Sequence, residues 1–469
     1  MSNRTYMGQT LVEKDDGSLV FSSKDALTDI LEDIRDLAVI DQASELDVRD
    51  PLGTSKNAFT FPKRNGHDVV YFVGNSLGLQ PRSCRERVIS ELESWSSRGV
   101  NGHFEGPKPW LDYDTDNLVE GMSRLIGAEP SEVAVMNSLT VNLHLLLIRF
   151  LGNLTSQGDS RTKRDKILVE SKLFPSDFYA IESQLKLHGL YNSEDPNIIY
   201  VNPRPGEHCL RTEDIEEKIA EVGDRLALVV FPGVQYYTGQ LFDMRAITHA
   251  AHCVGAKAIW DLAHAVGNVA MRLHDWGVDG ACWCTYKYLN SGPGGIGGFF
   301  IHEKHFNDVH AHRLAGWWSH NVKTRFEMSN EYDPSIGASE FRLSNVPILS
   351  SAALLSSLDV FGKTDMSIIR AKSIVLTGFL DKLLLELNTE LGGTCFEIIT
   401  CKSRGAQLSL LFRSDEQAKQ VNIELDKAGV MVDYRKPGLI RAAPAPLYCS
   451  FKDVVIFCEK LKLAILGCS

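Results

Sequence analysis

Hydrophobic and polar positions along the chain fall into two textures. Between residues 166 and 302, short aliphatic runs, KILVE (166–170), NIIYVN (197–202), RLALVVF (225–231), AKAIW (256–260) and GFFIH (298–302), alternate with segments whose apolar residues recur at helical spacing, among them Thr212 to Val222 and Asp243 to Val254. Brief aliphatic runs between helical segments are the pattern of βαβ units around a largely parallel sheet. Upstream, Leu27, Ile30, Leu31, Ile34, Leu37 and Ala38 predict one amphipathic helix over 24–49, ended by Pro51, and Glu86–Ser97 and Leu118–Ile126 read as helices. Beyond residue 345 the texture changes. A long helical pattern, Ile348 to Leu391, precedes the strand-like EIIT (397–400), QLSLLF (407–412) and VMVDYR (430–435), with a helix over Glu416–Ala428, which predicts a smaller α+β domain. The turn-rich run SNEYDPSIGASEFRLSNVP places the boundary within residues 330–350.

Composition narrows the class. The chain has 469 residues, 44% hydrophobic and 23% charged, which is a globular composition with ample core. Forty-nine Lys and Arg against 60 Asp and Glu leave a net charge of −11, which disfavours a nucleic-acid partner. The N-terminus lacks a basic region followed by an apolar run, so the chain is expected to stay in the cytoplasm. The most apolar stretch, Ala134–Leu154, is interrupted by Asn137, Asn142, His144, Arg149 and Asn153, so no membrane span is expected. Ten cysteines are dilute at this length, and Cys282 and Cys284 lack further ligands at zinc spacing, so no metal is expected. The sequons at Asn3 and Asn153 carry little meaning without secretion.

The sharpest chemical signal lies at two strand ends. Asp261 directly follows AKAIW, where open α/β sheets meet their ligands. Lys287 follows 26 residues later among Trp283, Tyr286, Tyr288 and Leu289, a setting that disfavours the ammonium and favours a nucleophilic amine. A carboxylate for a pyridinium nitrogen and a lysine for an aldehyde are what a pyridoxal phosphate enzyme needs. Taken singly, Asp261 reads equally as a helix cap and Lys287 as a snorkelling side chain. The run Gly292-Pro-Gly-Gly-Ile-Gly297 matches GxGxxG, but a strand rather than a helix follows it, so it reads as a close turn beside the cofactor and not as a dinucleotide fingerprint. Ser138 and Thr140 mark a helix start suited to a phosphate, or an ordinary cap, and Phe174 and Asp177 offer a ring face and an acid within one turn, or simple packing.

Together, GNSLGLQP (74–81), GHFEGPKPW (102–110), MNSLTVNLH (136–144), LFPSDFYA (173–180), YYTGQ (236–240), DLAHAVGNV (261–269), the long block 273–304 around Lys287, Gly316-Trp317, FRLSN (341–345) and LIRAAPAPLY (439–448) resemble kynureninase. The resemblance is dense over residues 70–350. It implies an α/β fold of the aspartate-aminotransferase type (pyridoxal phosphate-dependent fold type I), a large domain with a mainly parallel sheet, and a smaller α+β C-terminal domain. The division expected is 1–70 as an N-terminal helical arm joining the small domain, 71–340 as the cofactor-binding domain and 341–469 as the small domain. It implies a homodimer that hydrolyses kynurenine or 3-hydroxykynurenine to an anthranilate and alanine, in tryptophan catabolism and pyridine nucleotide biosynthesis. Carried over by motif, Lys287 attaches the cofactor and Asp261 pairs with its ring nitrogen, with Asp177 behind. Phe174 covers the ring, flanked by Pro175 and Ser176, and His264 lies beside it. Leu139, Thr140, Tyr286 and Trp317 hold the phosphate. Asn345, His103 and Ser76 fall where the family binds the aromatic ketone, and Arg441 matches the clamp on the substrate carboxylate, a task suited to a two-pronged guanidinium. Tyr286 is also the candidate general acid and base. The chain departs from the pattern at Phe231-Pro232, where a proline supplies no hydroxyl, and at Trp318, which follows Trp317.

The same residues admit two other readings. One is a cysteine desulfurase or aminotransferase-like lyase; a desulfurase needs a mobile reactive Cys in the C-terminal part, and Cys395 and Cys401 sit near a strand without an obvious activating group. An idle scaffold conflicts with Lys287, Asp261 and Arg441 all being present.

Overall fold

The computed structural model describes residues 4–13, 19–23, 25–113, 117–156, 164–191, 194, 197–306, 308 and 312–468. Asn3 lies outside them, as does the start of the predicted 24–49 helix. Seven strands form the main sheet: Val133–Val135 (β1), Lys166–Glu170 (β2), Ile198–Val201 (β3), Leu226–Pro232 (β4), Lys257–Asp261 (β5), Gly280–Trp283 (β6) and Gly298–Ile301 (β7), in spatial order β3-β2-β4-β5-β6-β7-β1. The pairs from β3 to β6 are parallel, while β7 runs antiparallel to both β6 and β1. β1, β2, β4, β6 and β7 are buried along their whole length, which explains their unbroken aliphatic runs. The fold class is the one expected from sequence. β7 is the one reversed strand because the connection from β6, residues 284–297, is spent on turns and holds no crossover helix.

Helices Thr212–Val222 and Met244–Cys253 are the crossovers predicted between β3, β4 and β5. The second is capped by Asp243, whose Oδ1 accepts from the Ala246 amide at 2.9 Å. A second sheet of four antiparallel strands, Phe396–Ile398, Leu408–Phe412, Leu439–Ala442 and Asp433–Arg435, carries helices Asp415–Lys427 and Phe451–Gly467. The strand Val70–Tyr71 pairs in parallel with Val430–Met431, joining an early segment to this late one.

Three sequence expectations need correction. The single helix over 24–49 is two, Ala26–Leu31 and Val39–Arg49, because Ala38 turns extended and the Gln42 side-chain amide donates to the carbonyls of Arg35 (3.3 Å) and Leu37 (2.9 Å), a contact that helical periodicity does not encode. The helical run 348–391 breaks into Ile348–Phe361 and Met366–Glu390, where Gly362 ends one helix and the Asp365 side chain caps the next through the Ser367 amide at 2.7 Å. Strands Arg4–Tyr6, Gln9–Glu13 and Leu19–Phe21 form a three-stranded antiparallel sheet within the segment expected to be a helical arm.

Candidate active site

The carboxyl ends of β2, β4 and β5 and the starts of two long helices, Leu139–Ser156 and Pro175–Leu187, converge on a cavity of about 150 Å³ lined by Leu139, Thr140, Phe174, Ser176, Asp177, Pro232, Val234, Tyr236, Asp261, Ala263, His264, Tyr286 and Lys287. Nine of these are residues predicted from sequence. Thr140 and Ser176 sit in the first turns of the two helices with their hydroxyls 2.8 Å apart, so two sets of free backbone amides and two helix dipoles face one spot. Such convergence suits an anion. Pro175 does not line the cavity; it occupies the first helical position, where its fixed φ sets the direction of the turn that presents Ser176 and Asp177.

Asp261 ends β5 and is 8% exposed, its Oδ1 accepting from the Ala263 amide at 2.7 Å. Asp177 faces it from the helix. Burial, and then the Asp261 charge, push the Asp177 carboxyl well above the usual range. Neither oxygen of Asp177 has a hydrogen-bond partner among the described residues, and His264 Nδ1 is likewise without one. Burial, then the positive charges of Lys287 and Arg441, hold His264 well below the usual imidazole range, so it is neutral. Buried polar atoms without partners are costly in a native fold. A polar ligand that brings an N–H to the acid pair would satisfy the Asp177 oxygens.

Lys287 follows β6 on a turn, and its Nζ lies 5.9 Å from the Phe174 ring and 5.8 Å from the Tyr286 ring. It makes no hydrogen bond or ion pair with a carboxylate among the described residues. Its backbone is held by the loop 74–78: the Gly78 amide donates to Tyr286 O at 2.8 Å, and a Cβ at Gly78 would meet Lys287 O at 2.2 Å, so only glycine permits this approach. Phe174, 39% exposed, packs edge-on against Tyr236 at 5.1 Å. Burial, then the Cys284 thiol beside it, raises the Tyr286 phenol, which is therefore a proton donor at neutral pH. The glycine run 292–297 leads directly into β7 with no helix after it, and Gly297 donates to Asn137 O at 2.7 Å, pinning the loop that starts the Thr140 helix.

The remaining predicted residues lie apart from the cavity of this chain. Arg441 is 1% exposed and gives Nη2 and Nε to Asp433 (2.8 and 3.2 Å) and Nη1 to the carbonyl of Tyr236 (2.7 Å), so it borders the cavity wall through Tyr236. Trp317 is half-exposed, its indole N–H donating to Arg325 O at 2.9 Å. Asn345 is exposed and accepts from the Ser344 hydroxyl at 3.1 Å. His103 packs edge-on against Trp110 at 5.3 Å, and Ser76 is half-buried with its amide on Val73 O at 2.9 Å. The sequence reading assigned no role to Val234, Tyr236 or Ala263. The available signal for Tyr236 was an aromatic pair just past a buried strand.

One group of metal-ligand composition, Glu132, His274 and His302, lies outside the cavity. Its Glu132 oxygens already accept the amides of Glu129 (3.0 Å) and Glu303 (2.9 Å), as in a capped turn braced by histidines. Cys282 and Cys284 are buried free thiols.

Comparison with known proteins identifies the family. Residues 369–461 match the kynureninase C-terminal domain model. The chain is 46% identical over 428 residues to the kynureninase of Flavobacterium johnsoniae, covering 91% of this chain and 98% of that one, and 47% identical over 438 residues to that of Mus musculus, covering 89% and 92%. Among solved structures, the cystine C–S lyase C-DES in complex with cysteine persulfide superposes with a TM-score of 0.68 at 15% identity over 84% of this chain and 97% of that one. The cysteine desulfurase of Thermococcus onnurineus superposes with a TM-score of 0.66 at 17% identity over 85% and 95%. These structures share the fold. With identity near one half over nine-tenths of its length, an acid pair and a free lysine in one cavity, and two helix starts beside them, this chain belongs to the kynureninase family.

Proposed function

We infer that this protein is a pyridoxal phosphate-dependent hydrolase that cleaves kynurenine, 3-hydroxykynurenine or both to anthranilate or 3-hydroxyanthranilate and alanine. The observation that carries the reading is the cavity itself, in which Lys287, the acid pair Asp261 and Asp177, and the Thr140 and Ser176 helix starts surround one space. When bound, pyridoxal phosphate supplies an electron sink beside the substrate α carbon.

The residues divide the remaining work. The hydroxyls of Thr140 and Ser176, with Leu139 and the helix amides, would hold a phosphate. Asp261, with Asp177 behind it, would hold the ring nitrogen protonated, while Phe174 and His264 would flank the ring and Pro232 would contact it without a hydroxyl. The Lys287 amine would attach the cofactor and, once the substrate displaces it, take the α proton. Bond cleavage between the β carbon and the ketone requires water to add to that ketone and a proton to be handed on. Tyr286, held protonated, is the donor. Arg441 would hold the substrate carboxylate through the guanidinium N–H groups not used by Asp433 or the Tyr236 carbonyl.

We further propose a homodimer in which a second copy brings Trp317, Asn345 and His103 toward the cavity, with Ser76 on the loop that abuts Lys287. An exposed apolar surface around Trp317 supports this: Phe104 (63%), Phe326 (52%), Met328 (72%) and Ile336 (75%) are all open, and Phe326 packs on both Phe104 and Trp317. The division 1–70, 71–340 and 341–469 is retained as the domain proposal. A cytoplasmic location fits ten unpaired cysteines, and no helix among the described residues is long and apolar enough to cross a membrane. The decisive experiment follows anthranilate and 3-hydroxyanthranilate release from the two substrates by the purified protein with and without added pyridoxal phosphate. Cofactor-dependent release of either product is expected, and no release of either refutes the assignment.

A further inference from the structure

A second cleft, of about 720 Å³, opens between residues 207–212, 240–245 and 401–403, away from the cofactor cavity. Two thiols, Cys209 and Cys401, line it side by side, with Cys209 Sγ close to the carbonyl of Ile399, two residues before Cys401. They come from distant parts of the sequence, Cys209 from the segment entering helix Thr212–Val222 and Cys401 from the connection between strands Phe396–Ile398 and Leu408–Phe412.

Their meeting is built into the backbone. The Gln240 side chain accepts the Leu210 amide at 2.9 Å and donates to the Leu210 carbonyl at 2.6 Å, fixing the residue after Cys209. On the other side, the Thr400 hydroxyl donates to Thr238 O at 2.5 Å and the Leu241 amide donates to Ser403 O at 3.0 Å, fixing the residues that flank Cys401. Both thiols are thus stitched to one short stretch, 238–241. Cys209 Sγ also contacts the Ile399 carbonyl at 3.7 Å, and Cys401 Sγ the Ser403 carbonyl at 3.1 Å. Neither is in the core, whereas Cys282, Cys284, Cys449 and Cys458 are buried. Arg211, Arg245, Arg370 and Lys402 line the same cleft with Glu207 and Asp243, and Arg211 pairs with Glu207, so the cleft carries a small cationic excess that attracts anionic oxidants.

We propose that Cys209 and Cys401 are a reversible disulfide-forming pair, a redox modification site. With a peroxide as oxidant, the thiolate of one attacks one oxygen, the O–O bond breaks, and that cysteine becomes a sulfenic acid. The sulfur of the other then attacks the sulfur of the sulfenic acid, the S–O bond breaks, and water leaves. Two thiols lose two electrons and two protons, and one hydrogen peroxide becomes two waters. With an anionic low-molecular-weight disulfide, the same two attacks release two equivalents of its thiol. The new bond would replace a non-bonded contact by one of about 2.05 Å and would tether 207–212 to the second sheet.

The test uses the holoenzyme in its native form, treated with graded hydrogen peroxide or oxidised glutathione, then alkylated, digested without reductant and mapped by mass spectrometry. Two of the ten thiols are expected to disappear together, with one cross-linked species joining the Cys209 and Cys401 peptides, and both to return with dithiothreitol. Cys401→Ser and Cys209→Ser are each expected to abolish the cross-linked species at the same dose. The proposal fails if Cys209 and Cys401 are still alkylated separately at doses that oxidise the exposed Cys253, or if Cys209 is found bonded to a different cysteine.

Discussion

Replacing Asp261 by Asn tests the acid pair at its centre. Oδ1 of Asp261 is already engaged by the Ala263 amide, so Oδ2 is the acceptor free for a protonated ring nitrogen. An amide there keeps the shape and removes the charge. A hydrogen bond between ionised partners contributes about 1.5 to 3 kcal/mol, so the pyridoxal phosphate dissociation constant should rise roughly 10- to 150-fold at about 1.4 kcal/mol per factor of ten. Asp177→Asn should behave differently. Burial and the neighbouring Asp261 charge already keep the Asp177 carboxyl protonated, so a neutral amide replaces a neutral acid and the constant should change by less than about threefold, within the error of a weak neutral hydrogen bond. Fluorescence titration of each apoenzyme with pyridoxal phosphate reads both numbers. Equal weakening by the two substitutions, or a larger effect from Asp177→Asn, would overturn the ranking of the two acids.

The same pair makes apoenzyme stability depend on pH: because the folded Asp177 carboxyl lies above its unfolded value, its stabilising contribution is complete below the unfolded value and is lost as pH rises through the raised one, so Asp177→Asn should flatten the fall in thermal midpoint across that window. Lys287→Ala should abolish turnover while leaving a folded protein, and borohydride reduction of the wild-type holoenzyme should label Lys287 alone in a peptide map. Arg441→Lys should raise KM for kynurenine but leave that of a decarboxylated analogue nearly unchanged, since an ammonium cannot serve Asp433, Tyr236 and a substrate carboxylate at once. Tyr286→Phe should still exchange the substrate α proton with solvent but release anthranilate about 100-fold more slowly, the usual contribution of a positioned proton donor; parallel loss of both would mean that Tyr286 only holds the cofactor.

Residues of the site were legible where chemistry and strand ends coincide. Asp261 at the close of a buried strand and Lys287 beyond the next carry their roles in composition and spacing, and the fold brings both to one cavity. The helix start at Thr140 was readable because Ser138 and Thr140 precede a long apolar run, but its meeting with Ser176 is a tertiary fact. Tyr236 escaped notice because its position depends on a turn organised by the Gln235 side chain, which accepts the amides of Tyr237 (2.6 Å) and Thr238 (2.7 Å), and glutamine carries no turn signal of its own. Trp317, Asn345 and His103 were named through the family resemblance, and no periodicity or spacing in one chain would bring them to the cavity. The break at Ala38 belongs to the same class as Tyr236, being set by a side-chain amide several residues away.

The reversal of β7 ties these observations together. In a fully parallel sheet the chain after β6 would enter a crossover helix, and Lys287 would sit near the start of that helix with its backbone already spoken for. Here the chain instead turns through Gly292–Gly297 and comes back beside β6, which leaves residues 284–291 as a loop folded over the sheet edge. That loop is closed internally by Thr285, whose hydroxyl lies 2.5 Å from both Ser291 Oγ and Ile296 O, and externally by Gly78 on Tyr286 O. The returning end bonds Gly297 to Asn137 and so fixes the loop that begins the Thr140 helix. One antiparallel strand therefore sets the lysine and the anion-binding helix start relative to each other. A change that loosens the glycine turn, such as a side chain at Gly297, where a Cβ would stand 3.1 Å from Ser138 and Asn142, should disturb the lysine and the phosphate end of the cavity together.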